Sequence, residues 1–429
     1  MVGLNQANAM TQTESAATSR GANTSKVKIL IARTLDEVEP LRKAWTSWGG
    51  HRDSDIDVVL MIIGSYPEAI RPHVIALYRN GEPDAILIGR LEKKRIAFRI
   101  GYLTVFRPWA RTLNFVYGAL RGNASSENSE ILIGEVVRCL KKDEADVAFL
   151  EFVPVDSPLY EKARTVPGFL SRDSHPVSQL HELLEVPSSI DGVYHRMSSK
   201  SRGELRRKMR KLEAHPAGEL RIVCYRESTE MDRMFADVER VAKNTYQRGL
   251  GAGFSDTPKV RERLGLAARK GWLRAYVEYL GDRPIAFWIG MLYGDTFFGE
   301  YLGFDVEFRQ FAPGMALMMK GIEGFCTRVK GEDVKKLDFG PGHAEYKEAL
   351  STQSWREAAV YIFGPTVKGA FLRLVRMTTQ SIEQLARKVL VSTAILPRLK
   401  RIWRDRLAKR SKSTPAENVP TPDLNAVHN

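Results

Sequence analysis

GDRPIAFWIGMLYGDTFFGEYLGFD (281–305), RQFAPGMALMMKGIEGFC (309–326) and LDFGPGHAEYK (337–347) are the three pieces of sequence that decide the fold of this chain. The first predicts two adjacent strands joined by a tight turn, the second a Gly/Pro turn that opens a helix, and the third a strand that ends in a glycine-rich loop. The first backbone N–H groups of a helix are unpaired and point outward. A strand that leads through a glycine-bearing turn into a helix therefore predicts a site for an anionic group.

The composition is that of a globular chain of two or three domains. The chain has 429 residues, of which 43% are hydrophobic and 9% aromatic, enough for a substantial core. Its three cysteines are far apart and form no CxxC pair, so neither a disulfide framework nor a zinc site is expected. The eight histidines form no ligand cluster, and no metal is expected. This cysteine usage predicts a cytoplasmic protein.

The basic charge is concentrated in two segments. Residues 199–213 and 397–412 carry +5 and +7 of the net charge of +14, so the rest of the chain carries only +2. A partner is therefore to be sought at each segment and not over the whole surface. No run of about 18 apolar residues occurs, so no transmembrane helix is expected.

The order of the predicted elements divides the chain into a repeated architecture. Both halves show the order strand, helix, strands, turn, helix, strand, strand, and the second half shows it more clearly. This order predicts an α/β (α+β) fold with two tandem domains of mixed, mainly antiparallel sheets. The expected divisions are a disordered leader (1–26), an N-terminal domain (27–184), a basic helical linker (185–217), a C-terminal domain (218–365), an amphipathic and basic helical segment (366–412) and a disordered tail (413–429). In the first domain, DVVLMI (57–62) is predicted to be a strand.

The second half resembles the CelD/BcsL-type GNAT acetyltransferases, a family associated with cellulose and exopolysaccharide synthesis. The matching features are the Arg-rich helix before the domain, the strand GDRPIAFWIG, the strand end YLGFD, the turn Pro313-Gly314 and the motif from Asp338 to Lys347. The resemblance implies tandem GNAT-like domains and acyl transfer from acetyl-CoA or another acyl-CoA, without a metal. FemAB-type aminoacyl transferases, which use aminoacyl-tRNA, have the same duplicated architecture and remain an alternative.

The resemblance implies that the turn before the helix holds the CoA pyrophosphate. The family usually has Arg/Gln-x-x-Gly-x-Gly/Ala at this turn, and this chain keeps Arg309 and Gly314. It has Ala312 at the first glycine, and the proline that follows removes one N–H donor. Phe304 and Met315 flank the turn and complete the expected cofactor site. The alternative is that Pro-Gly only begins a helix.

Two strand residues are candidates for chemistry on the acceptor. Glu300 is a candidate general base, since a strand carboxylate can take the proton of an attacking amine directly or through water. Strand alternation places Glu300 and Tyr301 on opposite faces, and Tyr301 is assigned to substrate binding. Glu300 on a solvent-facing side of the strand is the alternative.

The loop after the last strand of the motif supplies further titratable groups. Asp338, Tyr346 and Lys347 belong to the family's motif and are candidate catalytic residues, with a substrate-orienting or acid role for Tyr346 and Lys347. His343 is a candidate substrate-binding residue. The alternative is that Asp338 caps a turn and Lys347 is solvated.

The two basic segments each have several interpretations. Arg202 and Arg206 recur on one face of a predicted helix and could bind a phosphorylated or polyanionic substrate, or form a solvated face. Residues 397–412 interleave apolar and basic side chains, as interfacial helices do, so peripheral binding at the inner face of the membrane is one hypothesis and a solvated tail another. No DNA-binding motif occurs, and nucleic acid is not expected as a partner except tRNA under the alternative function.

The predicted function is that of an acyl-CoA-dependent acyltransferase that transfers its acyl group directly to an amine or hydroxyl. The family resemblance alone implies that the acceptor is a sugar, envelope or exopolysaccharide precursor. The sequence shows no evident Ser-His-Asp or Cys-His arrangement, so a covalent acyl-enzyme intermediate is not expected. The alternatives are an aminoacyl-tRNA-dependent transferase and a non-catalytic scaffold with a GNAT fold at the membrane surface.

Overall fold

The computed structural model describes residues 26–101, 103–245, 248, 253–328, 332–342 and 344–392, with side chains up to residue 385. The chain forms two compact units. Unit 1 comprises residues 26–178 and Ala358–Glu383, and unit 2 comprises Gln179–Glu357 and the end of the last helix.

The first half of the chain contains nine strands and five helices within the described residues. In chain order these are β1 (Val27–Ala32), α1 (Leu35–Val38), α2 (Arg42–Ser47), α3 (Ile56–Ser65), β2 (Ala69–Pro72), β3 (Val74–Arg79), β4 (Glu82–Arg95), β5 (Phe98–Ile100), β6 (Leu103–Phe106), β7 (Trp109–Gly122), α4 (Ser126–Lys141), β8 (Val147–Pro154), α5 (Pro158–Thr165) and β9 (Val177–Glu185).

The second half contains six strands and seven helices within the described residues. These are α6 (Ile190–Arg196), α7 (Ser199–Glu213), β10 (Leu220–Tyr225), α8 (Met231–Ala242), α9 (Pro258–Arg269), β11 (Leu273–Leu280), β12 (Arg283–Tyr293), β13 (Thr296–Phe304), α10 (Pro313–Cys326), β14 (Lys336–Pro341), α11 (Glu345–Leu350), β15 (Gln353–Phe363) and α12 (Val367–Ser392).

The two units repeat one strand order. Unit 1 has the order β1-β3-β4-β7-β8-β15, and unit 2 has the order β10-β11-β12-β13-β14-β9. In each unit the first four strands are antiparallel and the fourth pairs in parallel with the fifth. The predicted fold class, tandem GNAT-like domains with mixed and mainly antiparallel sheets, is confirmed.

The sixth strand of each unit comes from the other half of the chain. Strand β9 follows α5 in sequence but pairs with β14 in unit 2, with Leu184 opposite Leu337. The later part of β15 lies beside β8 in unit 1. The contiguous ranges 27–184 and 218–365 therefore do not coincide with the two units, because residue patterning along a strand does not specify its partner.

The sheet of unit 2 is buried on both faces. Strand β12 sends Phe287 and Ile289 into a cluster with α8 and α9, and Ala286 and Trp288 into a cluster with α10. This alternation follows the two-residue period of a strand. Full burial of each large apolar side chain contributes about 1.5–3 kcal/mol, so both helical layers hold the sheet in place.

One predicted strand is a helix. Residues 57–62 lie in α3, where the Asp55 side chain accepts the backbone N–H of Asp57 and caps the helix. The prediction of a strand over these residues was wrong. It followed from their β-branched side chains, which favour strands, whereas the capping aspartate favours a helix. The long strand β7 and the hairpin β5–β6 were not predicted.

We predict that Gly290→Ala destabilises unit 2. A Cβ at Gly290 would overlap the Phe297 ring and the Phe298 carbonyl oxygen of the neighbouring strand. Overpacking of this kind costs about 1–3 kcal/mol. Urea denaturation followed by circular dichroism measures the loss.

The control is Gly203→Ala in helix α7, where an added Cβ meets no atom within 4 Å. This change should raise the free energy of unfolding by about 0.5–1 kcal/mol because alanine is the better helix former. Equal effects of the two substitutions would contradict the tight packing at Gly290.

Candidate active site

The candidate site lies where two parallel strands of unit 2 separate. Strands β13 and β14 pair through three positions only, ending at Phe298 opposite Asp338. Strand β13 continues to Phe304 and stays paired with β12 along that length. Within the described residues no other strand pairs with the β14-facing edge of β13 beyond Phe298. The two strands therefore diverge beyond Phe298, and a ligand could lie alongside β13 at this point.

A β-bulge lies on β13 at the start of this separation. Gly299 is opposite Gly290 and Tyr301 is opposite Ile289, so Glu300 is an extra residue between them. A bulge breaks the alternation of faces and bends the strand. The expectation that Glu300 and Tyr301 lie on opposite faces was therefore wrong.

Both residues contact the same arginine of helix α9. Arg263 Nη1 donates to Glu300 Oε1 at 2.9 Å, and Nη2 donates to Glu300 Oε2 at 2.5 Å and to the Tyr301 hydroxyl at 3.1 Å. The Arg263 and Glu300 side chains are 11% and 4% exposed. The predicted base role of Glu300 would require it to exchange this bidentate contact for a substrate proton.

The turn before α10 leads directly from a 3₁₀ turn into the helix. A 3₁₀ turn (Val306–Phe311) leads into Ala312, which has φ 54° and ψ 50°, the left-handed region that favours glycine. Pro313 is the first helical residue, and Arg309 is exposed to solvent. Alanine in this conformation costs on the order of 1 kcal/mol. Ala312 thus adopts the left-handed backbone conformation that glycine favours.

Gly314 lies directly beside the end of β13. An added Cβ at this position would lie 3.1 Å from Phe304 Cδ1, closer than an ordinary van der Waals contact. The structure therefore brings together the first turn of α10 and the strand end at Phe304. Met315 follows in the same turn, where its N–H bonds to the Ala312 carbonyl at 3.1 Å.

A buried histidine joins two carboxylates beside the strand separation. His181 Nε2 lies 2.8 Å from Asp338 Oδ1, and His181 Nδ1 lies 3.1 Å from Glu357 Oε2. The ring of Trp355 stacks on His181 at 4.3 Å, and its Nε1 donates to Glu357 at 2.7 Å. Asp338 Oδ1 also accepts the Gly340 N–H at 2.6 Å.

This arrangement stabilises the imidazolium form of His181. Burial lowers the pKa of His181, but the hydrogen bonds to Asp338 and Glu357 outweigh burial and raise the pKa to about 9. Because the folded-state pKa lies above the usual value of about 6.5, the stabilisation is complete below that pH. It is lost as the pH rises through about 9.

Lys347 binds the end of β14 and the residue that follows it. Its Nζ donates to the carbonyl oxygens of Gly340, Pro341 and Gly342 at 3.2, 3.4 and 3.2 Å. Burial lowers the pKa of Lys347 to about 8, although Glu182 and Asp338 oppose this shift. The side chain is 5% exposed, so the alternative of a solvated Lys347 was wrong.

The remaining candidates are placed as follows. Tyr346 lies on α11, half-buried, with its ring 6.1 Å from that of Phe339. His343 lies outside the described residues. Arg202 Nη1 donates to the Tyr194 carbonyl at 3.3 Å, and the Arg206 guanidinium lies over the Tyr194 ring at 4.7 Å. These contacts join α7 to α6, and a substrate-binding role for either arginine stays a prediction.

The sequence did not single out Arg263, His181 or Glu357. Their positions depend on contacts between elements that are distant in sequence, and no local motif marks them.

A buried acidic residue was also missed: Glu278 lines a cavity of about 240 Å³ between α7, α10 and the two outer strands. Burial, followed by repulsion from Glu213, raises the pKa of Glu278 to about 8. No residue of β13 or β14 lines this cavity, so it is separate from the candidate site.

The described residues contain neither a metal-binding cluster nor a helix that could span a membrane. They contain no group of His, Cys, Asp and Glu side chains that could hold a metal ion. The described helices include none with the length and apolar character needed to cross a membrane.

The comparisons with known proteins agree with the architecture of unit 2. Residues 199–348 match the family model described as "Acetyltransferase (GNAT) domain", so this part of the chain carries a GNAT acyltransferase fold. The match begins at α7 and ends just after Lys347, and it includes the separated strands and the turn at Gly314. No curated protein matches the chain in sequence.

Several solved structures are similar in backbone. FemX shows 11% identity over 71% of this chain and 90% of its own, with a TM-score of 0.46. The C-terminal domain of a putative lysylphosphatidylglycerol synthetase from Agrobacterium fabrum shows 10% identity over 80% and 96%, with a TM-score of 0.45. A tandem GNAT protein from the clavulanic acid biosynthesis pathway shows 12% identity over 79% and 99%, with a TM-score of 0.46. At these identities the similarity concerns the backbone fold and not the activity.

We predict that the His181 imidazole titrates near pH 9 and that Asp338→Asn lowers this midpoint. The substitution replaces one of the two carboxylates that stabilise the imidazolium. An NMR titration of the histidine ring resonances measures both values. Asp333→Asn, which changes a half-exposed carboxylate paired with Arg328 instead, is the control. A His181 midpoint near 6.5 in the wild type would contradict the arrangement.

Proposed function

We propose that this protein is an acyltransferase that moves an acyl group from acetyl-CoA or another acyl-CoA directly to an amine or hydroxyl. The acceptor we propose is a sugar, envelope or exopolysaccharide precursor, as in the CelD/BcsL-type enzymes that the sequence resembles. The observation that carries the proposal is the separation of β13 from β14 directly beside the first turn of α10. A gap between two strands next to a helix N-terminus suits a long substrate with an anionic end.

The two ends of an acyl-CoA have separate places in this arrangement. The pyrophosphate would bind at the positive N-terminal end of α10, where Gly314 supplies a backbone N–H group, with the exposed Arg309 supplying a cation. The pantetheine arm would extend a polar, amide-bearing chain between β13 and β14 where the two strands separate. A backbone N–H of β13 beyond the bulge would then donate to the thioester carbonyl oxygen and stabilise the oxyanion that develops on it.

The proposed reaction is a direct attack. The acceptor nitrogen or oxygen forms a bond to the carbonyl carbon, the carbon–sulfur bond breaks, and the thiolate takes a proton. Tyr346 is the proposed proton donor, since it follows the β14 loop and stays partly accessible. Glu300 is the proposed acceptor of the nucleophile's proton. Lys347 and Asp338 act on the loop itself, Lys347 by binding three carbonyl groups and Asp338 by binding Gly340 and His181.

An aminoacyl-tRNA-dependent transferase is the second candidate function. The observation that favours it is the exposed basic face of α7, where Arg207, Arg210 and Lys211 are exposed and form no ion pair with a described residue. Such a row of cations suits the phosphates of a nucleic acid. The two candidates differ in the substrate that the separated strands would bind.

We predict micromolar binding of acetyl-CoA to the wild-type protein and its loss in Gly314→Glu. The new carboxylate would repel the pyrophosphate, and its Cβ would crowd Phe304. Isothermal titration calorimetry measures both. Because Gly314 is buried, Arg309→Gln serves as a second variant at an exposed position, where the loss of a charge-assisted hydrogen bond should weaken binding by about 10- to 100-fold.

Gly203→Glu is the matched control, since Gly203 lies on exposed helix α7 with no atom within 4 Å of an added Cβ. It should bind acetyl-CoA as the wild type does. Failure of the wild type to bind would overturn the acyl-CoA proposal. Binding of aminoacyl-tRNA by the same protein would then support the second candidate, and failure of both would leave a scaffold.

We predict that Tyr346→Phe lowers kcat by about 10²- to 10⁴-fold, the range of a lost general acid, while the Kd for acetyl-CoA stays the same. The measurement is release of free CoA thiol in the presence of an accepted amine or sugar. A change in Kd with unchanged kcat would show that Tyr346 only shapes the binding site.

A further inference from the structure

The hairpin β5–β6 projects from unit 1 on a firmly packed base. It connects the long strands β4 and β7 and forms a two-stranded sheet of its own. At its base Ile96 and Phe98 are 6% and 4% exposed and pack in a cluster with Phe363 and Leu372. The hairpin is therefore held at a fixed place in unit 1 and is not a free loop.

Strand β6 of the hairpin and the first residue of β7 are apolar and exposed. Leu103, Val105, Phe106 and Trp109 are 61%, 52%, 40% and 52% exposed. Single exposed apolar side chains are common on soluble proteins, but four within seven residues form a patch that water solvates poorly.

Helix α12 extends this patch. Val367, Phe371 and Leu374 recur at helical spacing on one face and are 91%, 47% and 58% exposed. The Phe371 ring contacts the Phe106 ring of the hairpin at 5.9 Å, edge to face. The hairpin and the helix thus form one apolar surface, here called the apolar platform. It consists of Leu103, Val105, Phe106, Trp109, Val367, Phe371 and Leu374.

The apolar platform is bordered by exposed arginines. Residues 93–109 contain five Lys and Arg and no Asp or Glu. Arg95, Arg99 and Arg107 are exposed, and none of them forms an ion pair with a described residue. The Arg95 guanidinium lies over the Trp109 ring at 5.1 Å. Exposed arginines around an apolar centre are complementary to a surface that carries anionic groups over an apolar layer.

We propose that the apolar platform and its arginines dock unit 1 onto an anionic lipid bilayer. Apolar side chains of this kind enter the boundary between headgroups and acyl chains, and tryptophan prefers that depth. Each arginine near an anionic leaflet contributes about 1 kcal/mol. The docking surface lies in the described residues of unit 1 and is distinct from the basic segment 397–412, which lies outside them. Docking would bring the proposed acyl-donor site to acceptors carried on lipids. The docking itself does not depend on acyl transfer.

The test is co-sedimentation of the full chain with vesicles of phosphatidylcholine alone and of phosphatidylcholine with phosphatidylglycerol. We expect binding to the anionic vesicles only. Leu103→Ser combined with Val105→Ser should weaken that binding at least tenfold, because two exposed apolar side chains lose their insertion. Arg99→Gln combined with Arg107→Gln should weaken it by roughly 25-fold, about fivefold for each charge.

The matched controls are pairs of equally exposed residues elsewhere in unit 1. Leu35→Ser with Ile70→Ser changes two apolar side chains that are each 52% exposed, and Lys28→Gln with Lys43→Gln changes two exposed cations. Both should bind vesicles as the wild type does. The proposal is overturned if the wild type fails to bind anionic vesicles, or if the hairpin variants still bind fully. It is also overturned if those variants instead shift the oligomeric state in lipid-free solution, which would assign the surface to a second copy of the chain.

Discussion

The three-residue parallel pairing between β13 and β14 is the constraint on which the candidate site depends. A longer pairing would use the backbone groups of β13 within the sheet and leave no gap for a ligand. Three features act against a longer pairing. The bulge at Glu300 bends β13, Arg263 binds the bulged residue from the α9 layer, and β14 is tied through Asp338 to His181 on its other side. The gap is thus built into the packing of unit 2, and no ligand is needed to form it.

Unit 1 repeats the strand order but differs at the start of its helix. Its parallel pair also ends after a few positions, at Phe115 opposite Leu150. The region before α4, however, is filled by the protein itself, since Asp84 accepts a hydrogen bond from Asn128 at 2.8 Å and one from Arg79 at 3.2 Å. A carboxylate at this position would repel an incoming phosphate.

The sequence alone predicts the β12–β13 hairpin well and the environment of its residues poorly. Strands β12 and β13 lie within 281–305, where the sequence predicts two adjacent strands, because a tight turn and apolar alternation are local signals. The bulge at Glu300 depends on register with β12, and the contact with Arg263 joins residues that are 37 positions apart. The exchange of β9 and β15 could not be predicted for the same reason, since pairing is decided by three-dimensional packing. Lys347 was identified from its motif, but its burial under three carbonyl groups follows only from the course of the loop.

The most direct test of the account is a crystal structure of the protein with acetyl-CoA. The account predicts the pantetheine arm between β13 and β14, its thioester carbonyl within hydrogen-bond reach of a backbone N–H of β13 beyond Phe298, and its pyrophosphate at the first turn of α10. A molecule bound in the cavity beside Glu278, or along the parallel pair of unit 1, with the gap between β13 and β14 left unfilled, would contradict it.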